Sequence, residues 1–241
     1  MFALYVSFTA NDTLFLLTLA IGLISAILTD SFFTYLKTKN FTITESSIVS
    51  GLIIGCVLSG GQAWWMIALA SVLAIGSKHL IRFKGRHIFN PAGFGTLAVV
   101  FLLGASTEWK GAYLWYIIIP FGFYFVSRIR KLEIVAGYFI SFFILFGLQA
   151  LIRDIHVLNI LGYLNYFFIF IMLIEPMTTP VAYYAKVIFG AGAGALIFIL
   201  YALGVREAEL ATLLCFNLLY NLSDSVSRRT VRRLTESDGK K

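Results

Sequence analysis

Residues 134–152 read Ile-Val-Ala-Gly-Tyr-Phe-Ile-Ser-Phe-Phe-Ile-Leu-Phe-Gly-Leu-Gln-Ala-Leu-Ile, a stretch without a single charge. Coiled into a helix, a run of this length matches the roughly 30 Å hydrocarbon layer of a bilayer. Its apolar residues are continuous rather than alternating, which argues against a strand of a membrane barrel. Comparable runs lie on either side: Leu14–Leu36, Ile48–Leu58, Trp64–Ser77, Pro91–Ala105 and Tyr113–Val126 before it, then Leu158–Ile174, Val187–Leu203 and Ala208–Leu222. The pattern predicts an all-α polytopic membrane protein with about nine transmembrane helices, eight to ten allowing for short or re-entrant segments such as Ile48–Leu58.

Composition agrees. Of 241 residues, 59% are hydrophobic and 13% charged, against about 25% charged in a typical soluble domain. So few charges cannot cover the surface of a soluble domain of this size. An ordinary cytosolic enzyme, a disordered chain and a disulfide-rich module are excluded. The net charge of +7 reports topology. If every segment crosses, all Lys and Arg residues except Lys110, Arg153 and Arg206 fall on one side. Basic residues gather in cytoplasmic loops, so the expectation is an N-terminus outside, a C-terminus inside and a cell-membrane location. Residues 1–227 form the membrane domain, with halves near 1–127 and 128–227, and 228–241 form a basic cytoplasmic tail suited to anionic lipid or a cytoplasmic partner. Nothing points to nucleic acid.

Two interruptions carry the chemistry. In the first, Lys78, Arg82, Lys84, Arg86 and the sequence Phe89-Asn90-Pro91-Ala92 follow an apolar run. Asn90 suits a helix N-cap and Pro91 the first helical position, where its missing N–H costs nothing. The second is Glu175-Pro176-Met177-Thr178-Thr179-Pro180. Irregular backbone at membrane depth is tolerated only where protein buries it or it lines a cavity, and an ionisable group there is a functional candidate. Corresponding breaks in two halves of a membrane protein point to an internal repeat with a site at its interface. Each break also has a plain reading, a capped helix start and a headgroup-level helix end. His79 and His87 lie in the basic loop and are read as solvated or facing phosphate. Cys56 and Cys215 are read as small buried residues, and no metal site and no soluble-type catalytic motif is expected. Gly190, Gly192 and Gly194 are read as helix-packing positions.

Taken together, Lys78…Gly85…Phe89-Asn90-Pro91-Ala92, then Glu175-Pro176-Met177-Thr178-Thr179-Pro180, then Ala211–Leu218 resemble the three landmarks of the RnfD/NqrB family, membrane subunits of Rnf-type and Na⁺-translocating NADH:quinone oxidoreductase complexes. The resemblance runs from about Ser46 to Ser227. It implies a urea transporter-like fold with an inverted repeat and two broken-helix segments. It also implies flavin-dependent electron transfer coupled to Na⁺ or H⁺ movement, within a translocase rather than a stand-alone enzyme, alongside other membrane subunits or a cytoplasmic flavoprotein reductase. The family's Ser-Gly-Ala-Thr flavin-attachment motif is absent; Gly104-Ala105-Ser106-Thr107 is the nearest stretch. The expected cofactor is therefore noncovalent FMN or riboflavin. On this reading Glu175, Thr178, Thr179 and Asn90 serve the ion pathway, and Lys78, Arg82, Arg86, Asn90 and Thr107 the flavin. A passive channel for a small solute or ion, and a membrane anchor for a reductase, remain the alternatives.

Overall fold

The computed structural model describes residues 14–238 except Lys84, with no side chain described at Val157 or beyond Ser223. The chain runs α1 (Phe15–Thr38), α2 (Glu45–Val57), α3 (Trp64–Leu80), a hairpin of β1 (Arg82–Phe83) and β2 (Arg86–His87), α4 (Pro91–Leu103), α5 (Trp115–Arg128), α6 (Leu132–Ile152), α7 (Tyr183–Ala202) and α8 (Ala208–Asp238). In the hairpin Arg82 stands opposite His87. The basic tail thus begins within α8, and its side chains lie outside the described residues.

The ends of α4 follow from local chemistry. Asn90 accepts the Gly93 N–H at 2.9 Å, Pro91 takes the first turn, and Gly104 closes the helix at φ 70°. That φ is cheap only for a residue without a side chain. The Asn90-Pro91 start was therefore legible in the sequence.

One expectation changes. The run Leu158–Ile174 is not an α-helix: it forms a 3₁₀ turn at Val157–Tyr163 and a π-helical turn at Phe168–Met172. Asn159, Gly162 and Asn165 interrupt it with poor helix formers, and the Asn165 side chain caps the second turn by accepting the Phe168 N–H at 3.0 Å. The described helices differ in length. Among the described residues α1, α6 and α7 are long and apolar enough to span a bilayer, whereas α2 and α4 have 13 residues each and α3 has 17. At 1.5 Å per residue, 13 residues reach only about 20 Å. The molecule is a helical membrane protein with several short helices.

Helices α1–α4 pack together, as do α6–α8, and α4 lies against α8. Lipid gives helices no reason to associate through hydrophobicity alone, so close backbone approach does the work. Gly22 on α1 and Gly51 on α2 each face the other's carbonyl, and Gly190 on α7 sits on the carbonyl of Ile134 on α6. A Cβ at any of these would strike backbone. Gly192 faces the Phe216 ring of α8, which fits the packing role expected of that stretch. An aromatic core of Tyr138, Phe142, Phe146 and Phe168 fills the centre. Cys56 is buried as expected, but Cys215 is exposed on α8.

Candidate functional site: a cavity where the two interruptions meet

A cavity of about 790 Å³ opens between α2, the start of α4, α5 and the segment from the π turn to Met177. Its walls are largely apolar, with Ile53, Ile118, Phe121, Phe125 and Phe170 prominent. Gly122 makes room for one of them, because a side chain there would collide with the Phe170 ring. The lining also includes Glu45, Ser46, Ser50, His87, Asn90 and Glu175. Apolar walls with a few convergent polar groups are the usual make-up of a ligand site.

The two interruptions, 85 positions apart in sequence, are joined here by side-chain hydrogen bonds. His87 Nε2 lies 3.0 Å from Glu175 Oε1, the two side chains 11% and 21% exposed. The Thr178 hydroxyl donates to Glu175 Oε2 at 3.1 Å, and the Thr179 hydroxyl to the Glu175 carbonyl at 2.7 Å. Asn217 on α8 is the hub: its Oδ1 accepts the Asn90 N–H at 2.8 Å, and its Nδ2 donates to the Thr178 carbonyl at 3.3 Å. Asn221, one turn on, donates to the Ile88 carbonyl at 3.2 Å. Asn90 Nδ2 also approaches the Met172 carbonyl. All four residues assigned to an ion pathway thus belong to one network, lining the cavity or tied to its rim.

Lys131, in the turn between α5 and α6, holds the Glu175–Pro180 loop. Its ammonium donates to the Pro180 carbonyl at 2.6 Å and the Thr179 carbonyl at 3.3 Å. Burial, then the neighbouring Lys186 charge, lower its pKa to about 8, against a smaller opposing pull from Glu133. Lys186 itself pairs with Glu133 at 2.7 Å.

The residues assigned to flavin do not converge. Lys78 turns away from the cavity to Asp30 of α1 at 3.0 Å and to the Thr44 hydroxyl at 3.3 Å. Arg82 donates to the Gly85 carbonyl within the hairpin, and Arg86 is exposed there. Thr107 sits past the opposite end of α4, where its hydroxyl donates to Glu207. Of the five, only Asn90 lines the cavity. The histidines differ from expectation too: neither is simply solvated, His87 meeting Glu175 and His79 meeting Asp30 at 2.7 Å.

Sequence reading passes over Asp30, Asn217, Asn221 and Lys131. Asp30 carries a usable signal, a lone acid inside an apolar run. Asn217 lies within the third landmark, where nothing local marks its role. Among the described residues, no group of three or more His, Cys, Asp or Glu side chains could hold a metal ion.

Residues 1–112 match the profile of the NQR2, RnfD, RnfE family. That span contains the Asn90-Pro91 landmark and ends before the Glu175 and Asn217 landmarks. A curated relative from Clostridium ljungdahlii (strain ATCC 55383 / DSM 13528 / PETC), one of the subunits of its proton-translocating ferredoxin:NAD(+) oxidoreductase complex, is 35% identical over 81 residues. Those residues are 33% of this chain and 24% of the relative, so the matched stretch spans about a quarter of that protein. The N-terminal part of the chain, just under half of it, is thus similar to the NQR2, RnfD, RnfE family.

Proposed function

We infer that the chain is a membrane subunit of an Rnf/Nqr-type complex that couples electron transfer to proton movement, working with other membrane subunits or a cytoplasmic reductase. The N-terminus lies outside and the C-terminus in the cytoplasm on this reading, and the two broken segments belong to an inverted repeat. The observation that carries it is the His87–Glu175 pair at the rim of an aromatic-walled cavity. A carboxylate–imidazole pair in a partly dehydrated setting is suited to holding and passing a proton. The C. ljungdahlii relative, named as proton-translocating, favours H⁺ over Na⁺.

A flavin is the cofactor the family implies, and the cavity tests it in two parts. The ring fits: Phe121, Phe125 and Phe170 offer apolar and aromatic surface, and Asn90 adds an amide to the lining. A phosphate does not fit: Glu45 and Glu175 would repel it, and Lys78, Arg82 and Arg86 are engaged or placed elsewhere. Thr107 lies beside the Glu207 carboxylate, which is equally hostile to a phosphodiester. Uncharged, noncovalent riboflavin is thus the better candidate, with FMN second. A flavin bound there supplies one- and two-electron chemistry. The chain's part is to pack the ring, exclude water and manage a proton at Glu175 and His87.

The test is the visible spectrum of the detergent-purified protein before and after acid precipitation, followed by reconstitution with riboflavin or FMN. The expected result is flavin released to the supernatant and riboflavin taken up in preference to FMN. Flavin retained in the precipitate would overturn the noncovalent reading. A colourless protein that takes up neither would favour the channel or anchor.

A further inference from the structure

Four exposed cations gather where α1 and α3 end, and the function above does not use them. Lys37 lies in the last turn of α1 and Lys39 just past it, while Arg82 and Arg86 stand on the two strands of the hairpin after α3. Lys37 Nζ lies 3.1 Å from His79 Nδ1, and the Phe33 ring stacks on the same imidazole with centroids 4.9 Å apart. These contacts hold the two helix ends side by side, and the hairpin continues directly from them. Among the described residues, none of the four cations meets a carboxylate. Lys37 has the His79 ring, Lys39 lies 5.6 Å over the Tyr35 ring, and Arg82 donates to the Gly85 carbonyl. Asp30, which bonds the other nitrogen of His79, is buried and already paired with Lys78. Glu45, at the start of α2, lines the cavity. The face thus keeps its positive charge.

Apolar side chains share this face. Phe41, Ile43 and Leu80 are 76%, 64% and 73% exposed, and Phe41 stacks on Tyr35 with centroids 4.5 Å apart. Helix α1 is long and apolar enough to span a bilayer, which puts its end, and this face with it, at headgroup depth. We propose that the face binds an anionic phospholipid, its phosphate held by Lys37, Lys39, Arg82 and Arg86 and its acyl chains lying over Phe41, Ile43 and Leu80. Guanidinium forks grip phosphate oxygens in pairs. Lysine stems lie along apolar surface while their ammonium groups reach the headgroup. An acidic water-soluble partner would satisfy the cations and leave the three apolar side chains without cover; a phospholipid matches both. The site is separate from the basic tail in α8, and it does not rest on the function inferred above.

The test is a lipid titration of the full chain in detergent, with bound lipid counted by native mass spectrometry. Phosphatidylglycerol is expected to bind about tenfold or more tightly than phosphatidylcholine, and equal binding of the two overturns the site. A cation at headgroup level is worth about fivefold in binding to an anionic surface. Lys39→Gln with Arg86→Gln, whose side chains make no hydrogen bond among the described residues, should therefore weaken phosphatidylglycerol binding by about twenty-fold or more. Phosphatidylcholine binding should stay as it was. Arg128→Gln with Arg130→Gln removes the same charge from exposed positions at the end of α5 and should matter less than about twofold. Equal losses in the two double variants would make lipid binding a response to overall charge and overturn the site. Phe41→Ser should weaken the lipid while leaving its charge preference. Inorganic phosphate in excess should not displace the lipid, because it covers no apolar side chain. Displacement would mean a bare anion site and overturn the lipid assignment.

Discussion

Asp30 and Glu175 are both acids within 3.0 Å of a histidine ring nitrogen, yet they are built differently. Asp30 is fully enclosed, with a lysine, a histidine and a threonine around it. Glu175 is partly open, bonds to His87 and Thr178 rather than to a lysine or arginine among the described residues, and faces a cavity. A closed ion pair resists change because removing one member strands a buried charge. An open carboxylate can gain or lose a proton without dismantling the fold. The first therefore holds structure, and the second faces the cavity.

Substitutions can break this contrast. The largest effect is expected from Asp30→Ala, which leaves Lys78 without its counter-charge. A loss of about 3–5 kcal/mol is expected, read from unfolding in detergent, and Asp30→Leu with Lys78→Leu should recover much of it. Equal stability of single and double variants would mean that the pair is not coupled. Asn217→Ala comes next. It strands the buried Asn90 N–H and the Thr178 carbonyl, costing about 2 kcal/mol, and it should also weaken riboflavin uptake by loosening both loops. Glu175→Gln should change stability by less than about 1 kcal/mol, as for a partly exposed pair, and still reduce protons moved per electron about tenfold. A large loss of stability there would erase the distinction from Asp30.

A pH-dependent effect concerns Lys131. Its pKa in the fold is about 8, against an ordinary lysine value of 10.5. Between those pH values the unfolded chain holds a proton that the folded one has released, so folding stability rises with pH across that window. Below pH 8 the gain is absent. Lys131→Met should flatten the rise in unfolding midpoint between pH 8 and 10.5; an unchanged slope would show that Lys131 keeps an ordinary pKa.

Local rules wrote α4 plainly. Asn-Pro at its start and Gly at its end are sufficient signals, and both work as their chemistry dictates. Glu175, Thr178 and Thr179 were legible for the same reason, since a charge and two prolines cannot sit in lipid-facing helix. Asp30 was lost among apolar neighbours because its partner Lys78 is 48 positions away, and only packing brings them together. The π turn was hidden because hydropathy counts apolar residues and is blind to Asn165 capping the next turn. Thr107 stands out only by resemblance to a motif whose order it does not keep, and its real partner, Glu207, is 100 positions distant.

Helix α4 has 13 residues and a polar group of contacts at each end, His87 with Glu175 near one and Thr107 with Glu207 near the other. Water reaching both ends would confine the fall of the membrane potential to about 20 Å, instead of the full thickness of about 30 Å. The electric field along α4 would then be half again as steep. A unit charge moved the length of this one short helix would exchange nearly the whole of the roughly 2.3 kcal/mol available per 100 mV.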